Sequence, residues 1–347
     1  MRPEKQLALA SFKPGDLDLI LGAGGSRAIL ASTGVILAGH HAGISSWRTI
    51  CGVSGGSVPA VMLAGGVEPT QIVRNVIEID FLSQLTPLVS KPRIFWAFFV
   101  KECLWRKRRG RGVLGSENLG RYVEQHVPTW PKNFWTVAVA GKRSLLFTAE
   151  GVFEMLADGG LRQLSDKPAP VGLAIRATCA VPGIIDGVDY QGQLLLDGAL
   201  SVGRCPTVLA KRYLNAQPGA LVACDVGEEA VADNLFFRVM RRILCGKCCD
   251  PAPMIPTDTQ GVVMVEPPPA NIATLELKLS ADQKWQVIMS GFTAAVDRLA
   301  CAGLLAGDKL AAARSVVESY REIERTAKQP GELASRTQAL MTAHNLY

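Results

Sequence analysis

The sequence predicts an α/β protein organised on a mainly parallel sheet, and three observations carry that prediction. Residues 17–51 run as apolar strand, glycine-rich loop, helix and second apolar strand. Such a βαβ unit favours parallel pairing, with the helix packed on the sheet. Residues 220–224 and 261–265 are further short apolar strand candidates, and helical patterns fill 281–306 and 307–327. At 48% hydrophobic over 347 residues, the chain can bury a sizeable core.

The elements follow in order. The strand at 17–21 leads into Gly22-Ala23-Gly24-Gly25-Ser26-Arg27-Ala28, and a helix is expected over 29–42 with Gly43 as its stop. A dinucleotide loop needs G-x-G-x-x-G, but Arg27 stands at the sixth place and no acidic residue ends the next strand. A Walker loop fails for want of Gly-Lys-Ser/Thr. What remains is a run of backbone N–H groups at a helix start, an anion nest. The strand at 48–51 runs into Gly52-Val53-Ser54-Gly55-Gly56, a G-x-S-x-G pattern, and an Ala/Val/Leu run follows at 58–64. Strand, sharp turn and helix in that order make such a pattern a nucleophile elbow, with a glycine-rich surface turn as the alternative.

Residues 68–79 and 116–125 read as surface helices. Strands at 135–140 and 144–148 flank Gly141-Lys142-Arg143, which predicts a hairpin or short connection. Asp158-Gly159-Gly160 reads as a turn. A helix over 171–179 is ended by Val181-Pro182-Gly183, and a strand at 193–196 runs into Asp197-Gly198-Ala199. The last twenty residues are polar and read as peripheral. Residues 251–256 and 267–269 are proline-rich loops, and there is no internal repeat.

Segment 91–112 has the most unusual composition. Phe95, Trp96, Phe98 and Phe99 precede Arg106, Lys107, Arg108, Arg109 and Arg111. Aromatic rings settle at a membrane interface, and each cation near an anionic leaflet contributes about 1 kcal/mol. An ordinary helix with a buried aromatic face and a solvated basic end fits as well. Nucleic acid finds thin support in one such cluster and a net charge of +6. No secretory signal and no bilayer-length apolar run is visible. Nine cysteines without an even framework read as reduced thiols of a cytosolic compartment, mostly small core residues. Cys245, Cys248 and Cys249 have C-x-x-C spacing without a second pair nearby. That is poor for zinc, and a mobile loop or an acylated membrane contact are the alternatives.

A nucleophilic Ser54 requires a base. The four histidines serve badly. His40 and His41 precede the serine, His126 ends a helix and His344 lies near the C-terminus. A desolvated carboxylate can do the same work. Asp158 and Asp197 each stand beside glycine after a strand candidate, and the residues alone leave both open.

Gly24-Gly25-Ser26-Arg27, Gly52-Val53-Ser54-Gly55-Gly56 and Asp197-Gly198-Ala199 together resemble the three motifs of patatin-like phospholipases. Ala177-Thr178-Cys179-Ala180-Val181-Pro182 matches the Ala-x-x-Ala-x-Pro feature that precedes the acid in that family, which favours Asp197 over Asp158. The resemblance covers about residues 17–300. Ala28 replaces a common glycine, and Asp-Gly-Ala is the less usual acid motif. It implies a three-layer α/β/α fold and a Ser54–Asp197 dyad without histidine. It also implies an oxyanion hole at Gly22, Gly24, Gly25, Ser26 and Arg27, with no metal or cofactor. The implied organisation is a leader at 1–16, an acyl hydrolase domain at 17–306 with a cap or membrane-facing insertion near 68–126, and a helical tail at 307–347. The expected activity is lipid acyl hydrolysis of phospholipase A or lysophospholipase type through an acyl-enzyme. The expected setting is cytoplasmic and peripherally membrane-associated, with lipid ester as substrate and a protein activator as a possible partner. A soluble esterase or thioesterase, or a catalytically silent lipid-binding protein, are the alternatives.

Overall fold

The computed structural model describes residues 15–88, 112–217, 219–227, 259–268, 272–273 and 275–347. Its strands are β1 (Asp18–Leu21), β2 (Thr49–Gly52), β3 (Thr86–Pro87), β4 (Leu114–Gly115), β5 (Phe134–Ala140) and β6 (Arg143–Thr148). They continue as β7 (Gly151–Met155), β8 (Leu161–Ser165), β9 (Val188–Tyr190), β10 (Gln193–Asp197), β11 (Leu221–Cys224) and β12 (Val262–Val265). The helices are α1 (Gly25–Ala42), α2 (Ser57–Ala64), α3 (Pro69–Glu78), α4 (Glu117–His126) and α5 (Val171–Thr178). Then come α6 (Ala199–Val202), α7 (Thr207–Tyr213), α8 (Ala281–Cys301), α9 (Gly307–Thr326) and α10 (Glu332–Ala343).

The main sheet runs β12-β11-β1-β2-β5-β6-β7-β8, with β10 on β5 and β9 on β10. From β12 to β5 every pairing is parallel. Strands β5 to β8 form an antiparallel meander. Strands β1, β2 and β11 are buried on both faces, as helices on either side require, while β12 at the sheet edge is buried on one face only. Leu19 and Leu21 of β1, with Val222 and Cys224 of β11, join the cluster that holds α1 and α8. Ile20, Leu221 and Ala223 point the other way, into the cluster of α7. Arg48, just before β2, binds Asp18 at the start of β1 and so ties the two strand entrances together.

Helices α1 and α8 touch backbone to backbone. A Cβ on Gly34 would lie 2.0 Å from the Ile288 carbonyl oxygen, and one on Gly291 would lie 2.1 Å from that of Ala31. Buried Lys284 of α8 donates to the carbonyls of Ile77 and Ile79, completing the end of α3.

Several expectations are corrected. Helix α1 begins at Gly25, so half of the glycine loop is the first turn of a helix. Strands β7, β8 and β9 add to the predicted set. The last twenty residues are not peripheral. They form α10, and Leu333, Ala334, Met341 and Leu346 are buried in the main core. Cys51, Cys179, Cys205 and Cys224 are buried as expected, but Cys301 is exposed. Within 68–126, α3 and α4 are amphipathic surface helices, with Ile72, Val73, Val76, Leu119 and Val123 buried in the main core and their other faces turned outward. Phe95, Trp96, Phe98, Phe99, Arg106, Lys107, Arg108, Arg109 and Arg111 lie outside the described residues, as do Cys245, Cys248 and Cys249. Among the described residues no helix is long and apolar enough to cross a membrane.

Candidate active site

One strand positions both halves of the site. Strand β2 runs parallel to β5 and ends with Gly52 opposite Thr136. Strand β10 runs antiparallel to β5 and ends with Asp197 opposite Ala138. Strand β6 occupies the other edge of β5, so β2 and β10 share one edge and meet end to end across Val137. Thr136 Oγ1 donates to the Gly52 carbonyl and secures the end of β2 at 2.8 Å. Gly198 lies over Val137, where a Cβ would come within 2.2 Å of the carbonyl oxygen.

The chain beyond β2 makes the sharp turn expected of G-x-S-x-G. Val53 is extended and Ser54 has φ 50°, a left-handed conformation that is strained for a residue with a side chain. A single 3₁₀ turn, Ser54–Gly56, then enters α2. Gly55 and Gly56 are dictated by close approach. A Cβ on Gly55 would lie 2.1 Å from the Gly25 carbonyl oxygen, and one on Gly56 would lie 2.3 Å from that of Gly22. The elbow and the glycine loop are therefore in direct contact.

Ser54 Oγ donates to Asp197 Oδ2 at 2.7 Å, and both residues are buried, 5% and 4% exposed. The other carboxylate oxygen accepts from the Ala199 N–H at 2.8 Å. Burial pushes the Asp197 carboxyl up to about 6, and the hydrogen bonds from Ala199 and Ser54 pull it part of the way back. Ala199 contributes its backbone N–H to this bond, so alanine in place of glycine leaves the bond intact.

The glycine loop runs between β1 and α1. Gly24 and Gly25 have φ of 152° and 58°, values that side-chain-bearing residues rarely adopt. The Gly22 N–H donates to the Cys224 carbonyl and that of Ala23 to the Arg204 carbonyl. This removes Gly22 from the expected oxyanion donors. Gly24, Gly25 and Ser26 stand at the start of α1, where the first N–H groups find no carbonyl within their own helix. Arg27 is 3% exposed, and its guanidinium donates to the Gly227 carbonyl at 2.8 Å. It is a buried strut for the loop rather than a surface cation. Ala28 is fully buried within α1, so its methyl is accommodated.

The remaining acid and imidazole groups lie elsewhere. Asp158 accepts from the Gly160 N–H in a tight turn. His41 lies against the Lys309 carbonyl and His126 against that of Tyr122. Among the described residues no cluster of three or more metal-binding side chains occurs. A cleft of about 450 Å³ beside Glu78, Phe81, Leu277 and Lys284 shares no residue with Ser54, Asp197 or the glycine loop.

Thr178 and Ser57 are two further residues of the site, which the sequence did not single out. The Ser54 N–H donates to Thr178 Oγ1 at 3.1 Å, and Ser57 Oγ donates to the Ser54 carbonyl at 2.6 Å. Thr178 lies inside the Ala-x-x-Ala-x-Pro segment, which was the available signal. Cys179 Sγ sits 3.7 Å from Ser57 Oγ, and burial, with help from the Asp197 charge, pushes its thiol up to about 12.

No curated protein matches the chain. Among solved structures it is similar to VipD from Legionella pneumophila, at 11% identity and a TM-score of 0.43 over 95% of this chain and 79% of that one. The model of the family described as patatin-like phospholipase matches residues 19–210, a shorter span than the expected 17–300 but one that takes in the glycine loop, Ser54 and Asp197. With more than half of its length matched, the chain belongs to the patatin-like phospholipase family, a family of lipid acyl hydrolases.

Proposed function

We propose that the protein is a lipid acyl hydrolase of phospholipase A or lysophospholipase type, working through a Ser54–Asp197 dyad. The observation that carries this reading is the buried 2.7 Å hydrogen bond from Ser54 Oγ to Asp197 Oδ2. Asp197 accepts the Ser54 proton as Oγ attacks the ester carbonyl. The backbone N–H groups of Gly24, Gly25 and Ser26 receive the developing oxyanion, helped by the positive end of α1. The proton on Asp197 passes to the departing alcohol, leaving an acyl-Ser54 ester. Asp197 then takes a proton from water as the hydroxide attacks the acyl carbonyl, and returns it to Ser54 Oγ as the acyl–serine bond breaks, releasing the fatty acid and restoring Ser54. This route uses no cofactor. Residues 17–306 form the hydrolase unit in this reading. Segment 91–112 is its contact with the cytoplasmic membrane surface, and any activating protein would act on the same unit.

Ser54→Ala and Asp197→Ala should each lower ester hydrolysis by about a thousandfold or more, on the scale seen when a nucleophile or its base is removed. A lipid panel followed by mass spectrometry, with thermal melts to verify folding, checks this. Activity retained in either folded variant would overturn the dyad. Liposome binding that is insensitive to neutralising Arg106 to Arg111 would remove the membrane contact while leaving the chemistry in place.

A further inference from the structure

Both peptide groups of Ser54 are held by side-chain hydroxyls. Its N–H donates to Thr178 Oγ1 at 3.1 Å and its carbonyl accepts from Ser57 Oγ at 2.6 Å. Thr178 is the last residue of α5 and is fully buried. Two residues later, the Ala180 carbonyl accepts the Asp197 N–H at 3.0 Å. A Cβ on Gly198 would lie 3.2 Å from Thr178 Oγ1. A stretch of three residues thus bonds the backbone of the nucleophile at one end and that of the acid at the other.

We propose that Thr178 is a positioning residue that holds Ser54 in its left-handed conformation, and that residues 178–180 set the separation of Ser54 from Asp197. The inference rests on the acyl hydrolase reading for its kinetic consequences. A buried N–H without an acceptor is unfavourable, so the strained Ser54 turn is stable only while Thr178 receives that N–H. Without it the peptide between Val53 and Ser54 keeps only its carbonyl bond from the Gly56 N–H, and Ser54 Oγ shifts away from Asp197. The same bond occupies the Ser54 N–H and so takes it out of the set of oxyanion donors.

The test compares Thr178→Val, which keeps the shape and removes the acceptor, with Thr178→Ser, which keeps the hydroxyl. Fluorophosphonate labelling rates, kcat and KM are measured beside a thermal melt. T178V should slow labelling and kcat about ten- to fiftyfold with KM within about twofold, while T178S stays within about threefold of wild type. Loss of the Ser54 hydrogen bond should also move the acid limb of the T178V pH profile upward. Wild-type rates in T178V, or T178S as slow as T178V, would overturn the inference while leaving the hydrolase reading standing. A wild-type chain inert to both ester and probe would instead overturn the hydrolase reading. If T178V does not fold, amide exchange at Ser54 in the wild type decides. Strong protection supports the bond to Thr178, and exchange at the solvent rate overturns it.

Discussion

Backbone meets backbone at several places among the described residues, and two of them differ sharply in their surroundings. At the α1–α8 crossing, Gly34 and Gly291 let two regular helices touch, with hypothetical Cβ atoms 2.0 and 2.1 Å from the facing carbonyl oxygens. At the elbow, Gly55 and Gly56 meet the glycine loop just as closely, at 2.1 and 2.3 Å. The steric demand is the same. The surroundings differ, because the helix crossing joins ordinary α-helical backbone. The elbow joins Ser54 at φ 50° to Gly24 and Gly25 in positive-φ conformations, beside a buried carboxylate. Close packing of glycines alone marks stability. Close packing combined with strain and a desolvated charge marks chemistry.

The largest contrast should come from placing one methyl at each contact. Gly55→Ala should lower kcat/KM at least about a hundredfold by driving the glycine loop off the elbow. Gly34→Ala should lower stability by about 2 kcal/mol through overpacking, with kcat/KM near wild type at a temperature where it is folded. Paired melts and ester kinetics check this, and equal loss of activity in the two variants would erase the distinction.

The next effect sharpens the electrostatic side. The Asp197 carboxyl is raised from 3.8 to about 6, so the charged form is disfavoured in the native state. Above about pH 6 the group is ionised both folded and unfolded, and its burial costs about 3 kcal/mol. Below the unfolded value it is protonated in both states and the cost vanishes. Asp197→Asn should therefore abolish hydrolysis yet stabilise the fold by up to about 3 kcal/mol at pH 8, with the gain fading toward pH 4. Urea melts across that range test the sign, and a gain independent of pH would contradict it. The wild-type kcat/KM should correspondingly rise as pH increases through about 6.

The smallest effect is a control. Gly141 has φ 62° in the β5–β6 turn, and a Cβ added there would meet nothing within 4 Å. Gly141→Ala should cost about 1 kcal/mol from backbone strain alone and leave kinetics unchanged. A melt and one kinetic run are enough to check it.

The parallel half of the fold was legible because β1, β2, β11 and β12 are short, almost wholly apolar runs. The meander was only half legible. Leu161–Ser165 is largely exposed and carries Arg162 and Gln163, so its strand character comes from pairing with β7 rather than from its own pattern. Helix α10 was hidden by its many polar residues, although Leu333, Thr337 and Met341 keep helical spacing and are buried. At the site, Ser54 and the glycines announced themselves, since elbow geometry demands those residue types. Asp197 could not be told from Asp158 by local sequence, because pairing with β5 is what brings it to the serine. Thr178 and Ser57 were silent for a related reason. Small hydroxyl residues in helices have many uses, and only the fold shows that both face Ser54.

The end-to-end meeting of β2 and β10 on β5 also governs when the site can exist during folding. Ser54 and Asp197 are 143 residues apart, and nothing local joins them. Each docks on the same short template, so the dyad forms only after β5 has received both strands. Such a long closure is slow but adds little entropic cost for further length. Under the proposed mechanism, a ribosome-bound chain that has exposed the elbow but not β10 carries a serine without its base, and should be inert toward lipid until synthesis has passed residue 197.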